Sequence, residues 1–145
     1  MKKSLYIIAA ALMLMCNGCK KEDTKSIVSG QWNITDIQLT TKSADTHIGD
    51  QKVDIYIDFK NDNSYEMYQM LGQGAYRHYR GTYKLAGNLL TGNYHETNKI
   101  RDWGNIYEID VKGDVMTMTA TLGSSDVYTY IRCTIPEEVR QNARR

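Results

Sequence analysis

Three histidines are the first residues in this chain that could bind a metal or move a proton. His47 stands near Asp45 and Asp50, His78 beside Arg77, and His95 beside Glu96, a spacing that matches no standard metal frame. There is no Gly-rich phosphate loop and no His-Glu-x-x-His, and no nucleophile with its base or pair of carboxylates stands out. The expectation is a protein that is not an enzyme, with no catalytic residue, no metal and no cofactor.

Tyrosine is the more suggestive residue type. The chain has eleven, and each joins an apolar ring to a polar tip, which suits a semi-polar cavity or a binding surface. Alternation along strands would turn Tyr83, Tyr107, Tyr128 and Tyr130 inward. Met116 and Met118 would join them as core fillers or as an adaptable apolar wall. Filling a core and lining a pocket need the same pattern, so both readings stand at this point. The run Tyr76-Arg77-His78-Tyr79-Arg80 mixes aromatic and basic residues as a nucleic-acid strand binder would. In a strand, however, Tyr76, His78 and Arg80 share one face and Arg77 and Tyr79 the other, which splits the charge. With a formal net charge of only +1, no nucleic-acid partner is expected.

The elements that must position these residues are strands. Val53-Asp54-Ile55-Tyr56-Ile57-Asp58-Phe59 places four apolar residues on one face and two aspartates with a tyrosine on the other. The same alternation gives eight windows in all, at Gln31 to Thr41, Lys52 to Lys60, Ser64 to Leu71, Ala75 to Leu85, Leu89 to Glu96, Ile106 to Lys112, Val115 to Leu122 and Val127 to Thr134. Asn61-Asp62-Asn63, Gly72-Gln73-Gly74, Ala86-Gly87-Asn88, Lys112-Gly113-Asp114 and Gly123-Ser124-Ser125-Asp126 punctuate them with residues suited to tight turns. Eight hairpin-linked strands leave two exposed edges unless the sheet curls and its first strand meets its last. The predicted fold is all-β: an eight-stranded antiparallel up-and-down barrel, wide enough to be filled by side chains or to hold one small ligand. Two longer connections, Lys42 to Gln51 with His47 and Thr97 to Asn105 with Trp103, are read as loops at one rim. Pro136-Glu137-Glu138 and the arginines after it predict a short C-terminal helix.

The first 18 residues have the pattern of an export signal, with Lys2 and Lys3 ahead of an apolar run from Leu5 to Met15 that is too short to span a bilayer. Loss of Lys2 and Lys3 with it turns the formal charge of +1 into −1. Leu14-Met15-Cys16-Asn17-Gly18-Cys19 resembles the bacterial lipobox, with Gly before the modified Cys and Cys16 where Leu is commonest. That resemblance implies lipidation at Cys19, a membrane partner through the lipid, and a place in the cell envelope, at the outer membrane, with the leaflet open. Cys133 is then the one thiol left, so packing alone must hold the domain. The organisation is residues 1–18 as signal, 19–28 as anchor and tether, 29–135 as barrel and 136–145 as tail.

Ser29-Gly30-Gln31-Trp32 matches the Gly-x-Trp motif that opens lipocalins and related calycin barrels, and Arg132 stands near the end of the last strand window, where those families place an Arg over that Trp. Arg80-Gly81-Thr82-Tyr83-Lys84-Leu85, followed by Asn88-Leu89-Leu90-Thr91, resembles small lipocalin-like lipoproteins of gut-type Gram-negative bacteria. The resemblance, over Ile27 to Thr134, implies a barrel closed at one end by Trp32 and Arg132 through a cation–π contact. The barrel pattern with its abundant Tyr and Met leads to the expectation of a binding module for a small amphipathic or apolar ligand or a glycan fragment, with Trp103 and His47 near the mouth and Tyr83, Tyr107, Tyr128, Tyr130, Met116 and Met118 as candidate binding residues. The competing expectation is an inhibitor or protein-interaction lipoprotein whose filled barrel displays an exposed Trp103 to an envelope partner.

Overall fold

The computed structural model describes residues 26–40 and 52–144. The signal, Cys19 and His47 lie outside the described residues.

Nine strands follow in chain order: β1 (Gly30–Gln38), β2 (Val53–Phe59), β3 (Ser64–Leu71), β4 (Arg77–Ala86), β5 (Leu89–Glu96), β6 (Lys99–Asp102), β7 (Tyr107–Lys112), β8 (Val115–Ala120) and β9 (Val127–Arg132), then helix α1 (Glu137–Asn142). Eight of them form a closed antiparallel ring, in which β1 pairs with both β2 and β9, and β4 pairs with β5. Closure leaves no free edge around the ring. Three hairpins have loops of only two residues, and at two of them Gly87 (φ 64) and Gly113 (φ 61) supply the positive φ needed at the first central position.

β6 is the strand that alternation does not reveal. All four of its residues are exposed, so it has no apolar period. It forms because β5 runs on past the ring, and β6 pairs with that extension from Asn93↔Asp102 to Glu96↔Lys99. The stretch expected to be a loop around Trp103 is therefore part strand. β5 consequently meets β7 through only two residue pairs, Leu89↔Glu108 and Leu90↔Tyr107, which leaves a seam in the wall.

A second irregularity lies in β1. Ile34 pairs with Tyr130 but Asp36 with Thr129, so Thr35 is an extra residue in a bulge. The bulge lets Trp32, Ile34 and Ile37 all face the core, although the last two are three apart.

Inside the ring, one cluster joins Val28, Trp32, Ile34, Ile55, Ile57, Phe59, Tyr65, Tyr83, Leu90, Ile109, Met116, Met118 and Tyr130. Every member follows Ser26 in the chain, so the segment from Glu22 onward carries the whole of this cluster and has the core it needs to fold without the residues before it. At one end Trp32 is fully buried and its Nε1 donates to the Val28 carbonyl at 2.8 Å. The Arg132 guanidinium carbon sits 4.1 Å from the Trp32 ring centroid, and its Nη1 donates to the Ser29 carbonyl at 3.0 Å. This end is sealed; the opposite end, where β3 turns into β4 and β8 into β9, is open among the described residues.

After β9 the chain returns along the outside of the barrel. Ile135 and Val139 pack on Tyr68, with Tyr56, Tyr76 and Cys133 at the margin. Arg140 reaches Asp58 at 3.3 Å and Glu66 at 3.6 Å, and the backbone of Arg144 exchanges 2.8 Å hydrogen bonds with Tyr76 and His78. The tail thus covers the part of β4 that β5 does not reach. Burial alone would raise the Glu66 carboxyl, but the hydrogen bond and charge of Lys60, with the Tyr68 hydroxyl, outweigh it and hold the group below its ordinary value of 4.5. A depressed carboxyl stabilises the folded state fully above its unfolded value, and that contribution vanishes as the pH falls through the lower folded value. Urea midpoints measured downward from pH 6 are expected to fall below about pH 4.5, and Glu66→Gln is expected to flatten that fall; an unchanged slope would exclude the Lys60–Glu66–Arg140 cluster as its source.

Candidate functional site

Above the sealed end the ring encloses a cavity of about 420 Å³ that opens at the other end. Its walls follow from strand register. Ile57 pairs with Met67, Ile55 with Gln69, and Met67 in turn with Tyr79, so β2, β3 and β4 stack these side chains on one inner surface. Met118 pairs with Tyr128 and Met116 with Tyr130 on the facing wall.

Trp103 follows β6 and turns inward across the seam. Its indole lies against Gly92, where a Cβ would fall 2.5 Å from the ring, so only glycine leaves room for it. Trp103 Nε1 donates to the Tyr65 hydroxyl at 2.7 Å. From there a belt of rings meets edge to face, with centroids 5.2 Å apart for Tyr65 and Trp103, 6.1 Å for Trp103 and Tyr107, and 6.0 Å for Tyr107 and Tyr128. This geometry suits ring quadrupoles and makes a stiff aromatic wall.

The cavity's ionisable groups are mostly phenols. Burial pushes Tyr65 up to about 12, and the hydrogen bond from Trp103 offsets only part of the rise. Burial raises Tyr107, Tyr128 and Tyr130 as well, and neighbouring Tyr128 adds to the shift of Tyr107. All four therefore stay protonated at neutral pH and act as donors. Glu96 borders the mouth and is paired with Arg101.

Of the side chains singled out from sequence, Tyr107, Tyr128, Tyr130, Met118 and Trp103 line this cavity. Tyr83 and Met116 do not. Tyr83 lies deeper, edge-on to Phe59 at 5.0 Å with its hydroxyl donating to the Lys60 carbonyl at 2.8 Å, and Met116 is fully buried. Both are core fillers, because inward direction says nothing about depth along the barrel. Trp103 is half-buried rather than displayed at a loop tip. Ile55, Ile57, Tyr65, Met67, Gln69, Tyr79, Tyr94 and Glu96 complete the lining, and extending the alternation argument to β2 through β5 would have found them. His78 is outside, stacked on Tyr68 at 4.7 Å, and His95 is exposed on β5. Among the described residues no three His, Cys, Asp or Glu side chains converge on one point.

Fold and cavity together define a closed eight-stranded antiparallel barrel with an aromatic interior open at one end. No protein-family profile and no curated protein sequence matches the chain. Solved structures with a related chain course include fatty-acid-binding protein 1 of Echinococcus granulosus, at 12% identity over 74% of this chain and 98% of that one, with a TM-score of 0.42. A Schistosoma mansoni fatty acid binding protein in complex with arachidonic acid gives 17%, 76%, 98% and 0.43, and the REP1-NXSQ fatty acid transporter 14%, 74%, 97% and 0.40. Likenesses at this level describe a barrel course and establish neither kinship nor function.

Proposed function

We propose that this protein is a lipid-anchored protein of the cell envelope, held at the outer membrane through Cys19, whose barrel binds one small apolar or amphipathic ligand without catalysis. The observation that carries the reading is the 420 Å³ cavity lined by Ile55, Ile57, Met67 and Met118 on an aromatic belt, a size and lining within the range of small-ligand pockets. The chain enters the barrel at Ser26 beside the sealed end, since the Ser29 amide bonds the Ser26 carbonyl there. Trp103, which a protein-interaction surface would have displayed, is turned inward instead, so the ligand reading is preferred.

Titration of the segment from Glu22 onward with the uncharged fluorophore N-phenyl-naphthylamine is expected to give saturable, blue-shifted emission at one site per chain. Met67→Trp, which fills the cavity, is expected to weaken that binding at least about tenfold while far-ultraviolet circular dichroism stays unchanged. Absence of saturable binding to the parent would refute the reading. For the anchor, metabolic labelling with a fatty acid is expected to mark the full chain and not Cys19→Ser.

A further inference from the structure

Rings, more than aliphatic chains, make the wall of the cavity. Seven of the thirteen described residues around it are aromatic, in a chain that has eleven tyrosines, two tryptophans and one phenylalanine, so half of its rings border one hollow. Besides the belt from Tyr65 through Trp103 and Tyr107 to Tyr128, a second pair joins Tyr79 on β4 to Tyr94 on β5, with centroids 6.0 Å apart and planes at 87°. Ile55, Ile57, Met67 and Met118 supply most of the remaining lining. Glu96 at the mouth is already neutralised by Arg101, so the described lining asks for no charge on a guest.

The angles between the rings bear on the shape of that guest. Planes in the belt lie 77° apart for Tyr65 and Trp103, 68° for Trp103 and Tyr107, and 77° for Tyr107 and Tyr128. A flat guest that stacks on one of these rings therefore meets the next one edge-on. Ring quadrupoles favour both contacts, over and above the apolar area they bury, whereas a methylene chain gains from the area alone. The wall is also fixed before a guest arrives, because the Trp103 backbone N–H donates to the Gly92 carbonyl at 3.0 Å and its Nε1 to the Tyr65 hydroxyl at 2.7 Å. A rigid guest enters such a wall without losing bond rotations, but every rotatable bond of an alkyl chain that is held there costs entropy.

Resting on the reading of the cavity as a ligand site, we propose that its ligand is a compact, uncharged molecule built on linked or fused aromatic rings, in preference to a flexible alkyl chain. Tyr107 and Tyr128, half-buried at the open-end termini of β7 and β9, are the rings such a molecule meets as it enters.

The test uses the segment from Glu22 onward and displacement of N-phenyl-naphthylamine by two uncharged alcohols, biphenyl-4-methanol and decan-1-ol. Decan-1-ol is the more hydrophobic, so it wins if burial of apolar area alone decides. The expected order is the reverse, with biphenyl-4-methanol effective at a concentration at least about fivefold lower. Tyr128→Leu, which keeps an apolar side chain and removes the ring, is expected to cut that preference at least about threefold, and Tyr128→Phe, which keeps the ring, to retain it, both with the parent's far-ultraviolet circular dichroism. Should Tyr128→Leu lose that spectrum, the order of the two alcohols on the parent decides by itself. If the fluorophore binds but decan-1-ol equals or outcompetes biphenyl-4-methanol, or if folded Tyr128→Leu keeps the full preference, or if Tyr128→Phe loses it, this proposal is overturned and the cavity reading stands. If the fluorophore does not bind the parent at all, both fall.

Discussion

Trp32→Ala is expected to remove about 3–5 kcal/mol of folding stability, a large share of the roughly 5–15 kcal/mol that a domain of this kind possesses. The indole is fully buried at the sealed end, so truncation leaves a void that Val28 and Phe59 cannot fill without moving the first strand. Two further contacts go with the ring: the 2.8 Å hydrogen bond to the Val28 carbonyl and the face over which Arg132 sits at 4.1 Å. Without the ring, the Arg132 guanidinium keeps only its Ser29 carbonyl and a 3.7 Å approach to Asp114. Urea unfolding measures the loss directly, as a lower midpoint at an unchanged slope. Trp32→Phe separates the parts: it retains a ring for Arg132 but orphans the Val28 carbonyl, and is expected to cost about 1–3 kcal/mol. A loss below about 1 kcal/mol for Trp32→Ala would mean that the barrel is not sealed by this residue.

How much of this could be read without coordinates depends on which physical signal each element carries. Val53 to Phe59 alternates cleanly because one of its faces is dry and the other wet, and Ile55, Ile57 and Phe59 are indeed the buried positions of β2. The ring of eight strands follows from such stretches and from turn residues whose φ preferences are local. β1 is harder, because its apolar residues switch from Trp32 and Ile34 to Ile37 and Leu39; that slip of parity is the bulge at Thr35 seen from the sequence. β6 leaves no trace in hydrophobicity, since it buries nothing and exists only because the backbone of β5 from Asn93 to Glu96 needs a partner. The position of Trp103 depends on β6 and on the missing Cβ of Gly92, two features far apart in kind, and so it reads as a loop residue. Depth along the barrel is likewise silent: Tyr83 and Tyr107 alternate in the same way, yet one packs on Phe59 and the other faces open space. Alternation reports direction, whereas a cavity is a matter of volume, and volume is set by what eight strands bring together.

Gly92→Val is expected to be the most damaging change at the site itself. β5 and β7 share only two residue pairs, and the wall between them above that point is completed by the Trp103 indole lying on the Gly92 backbone. Even a single added Cβ would stand 2.5 Å from two ring carbons and 2.9 Å from the Thr82 carbonyl, against the roughly 3.5–4.0 Å at which carbons normally rest. The sheet cannot yield towards Thr82, because β4 and β5 are held there by the register from Gly81↔Tyr94 to Ala86↔Leu89, so the ring must leave. Its departure breaks the Nε1 bond to Tyr65, removes the edge contacts to Tyr65 and Tyr107, and opens the seam to water. The expected result is a loss of about 2–4 kcal/mol in urea unfolding, a red-shifted tryptophan emission, and N-phenyl-naphthylamine binding weakened at least about tenfold. Recording the emission in a Trp32→Phe background isolates Trp103, since these are the chain's two tryptophans. Unshifted emission with intact binding would show that the seam closes without Trp103 and that the aromatic belt is not what shapes the cavity.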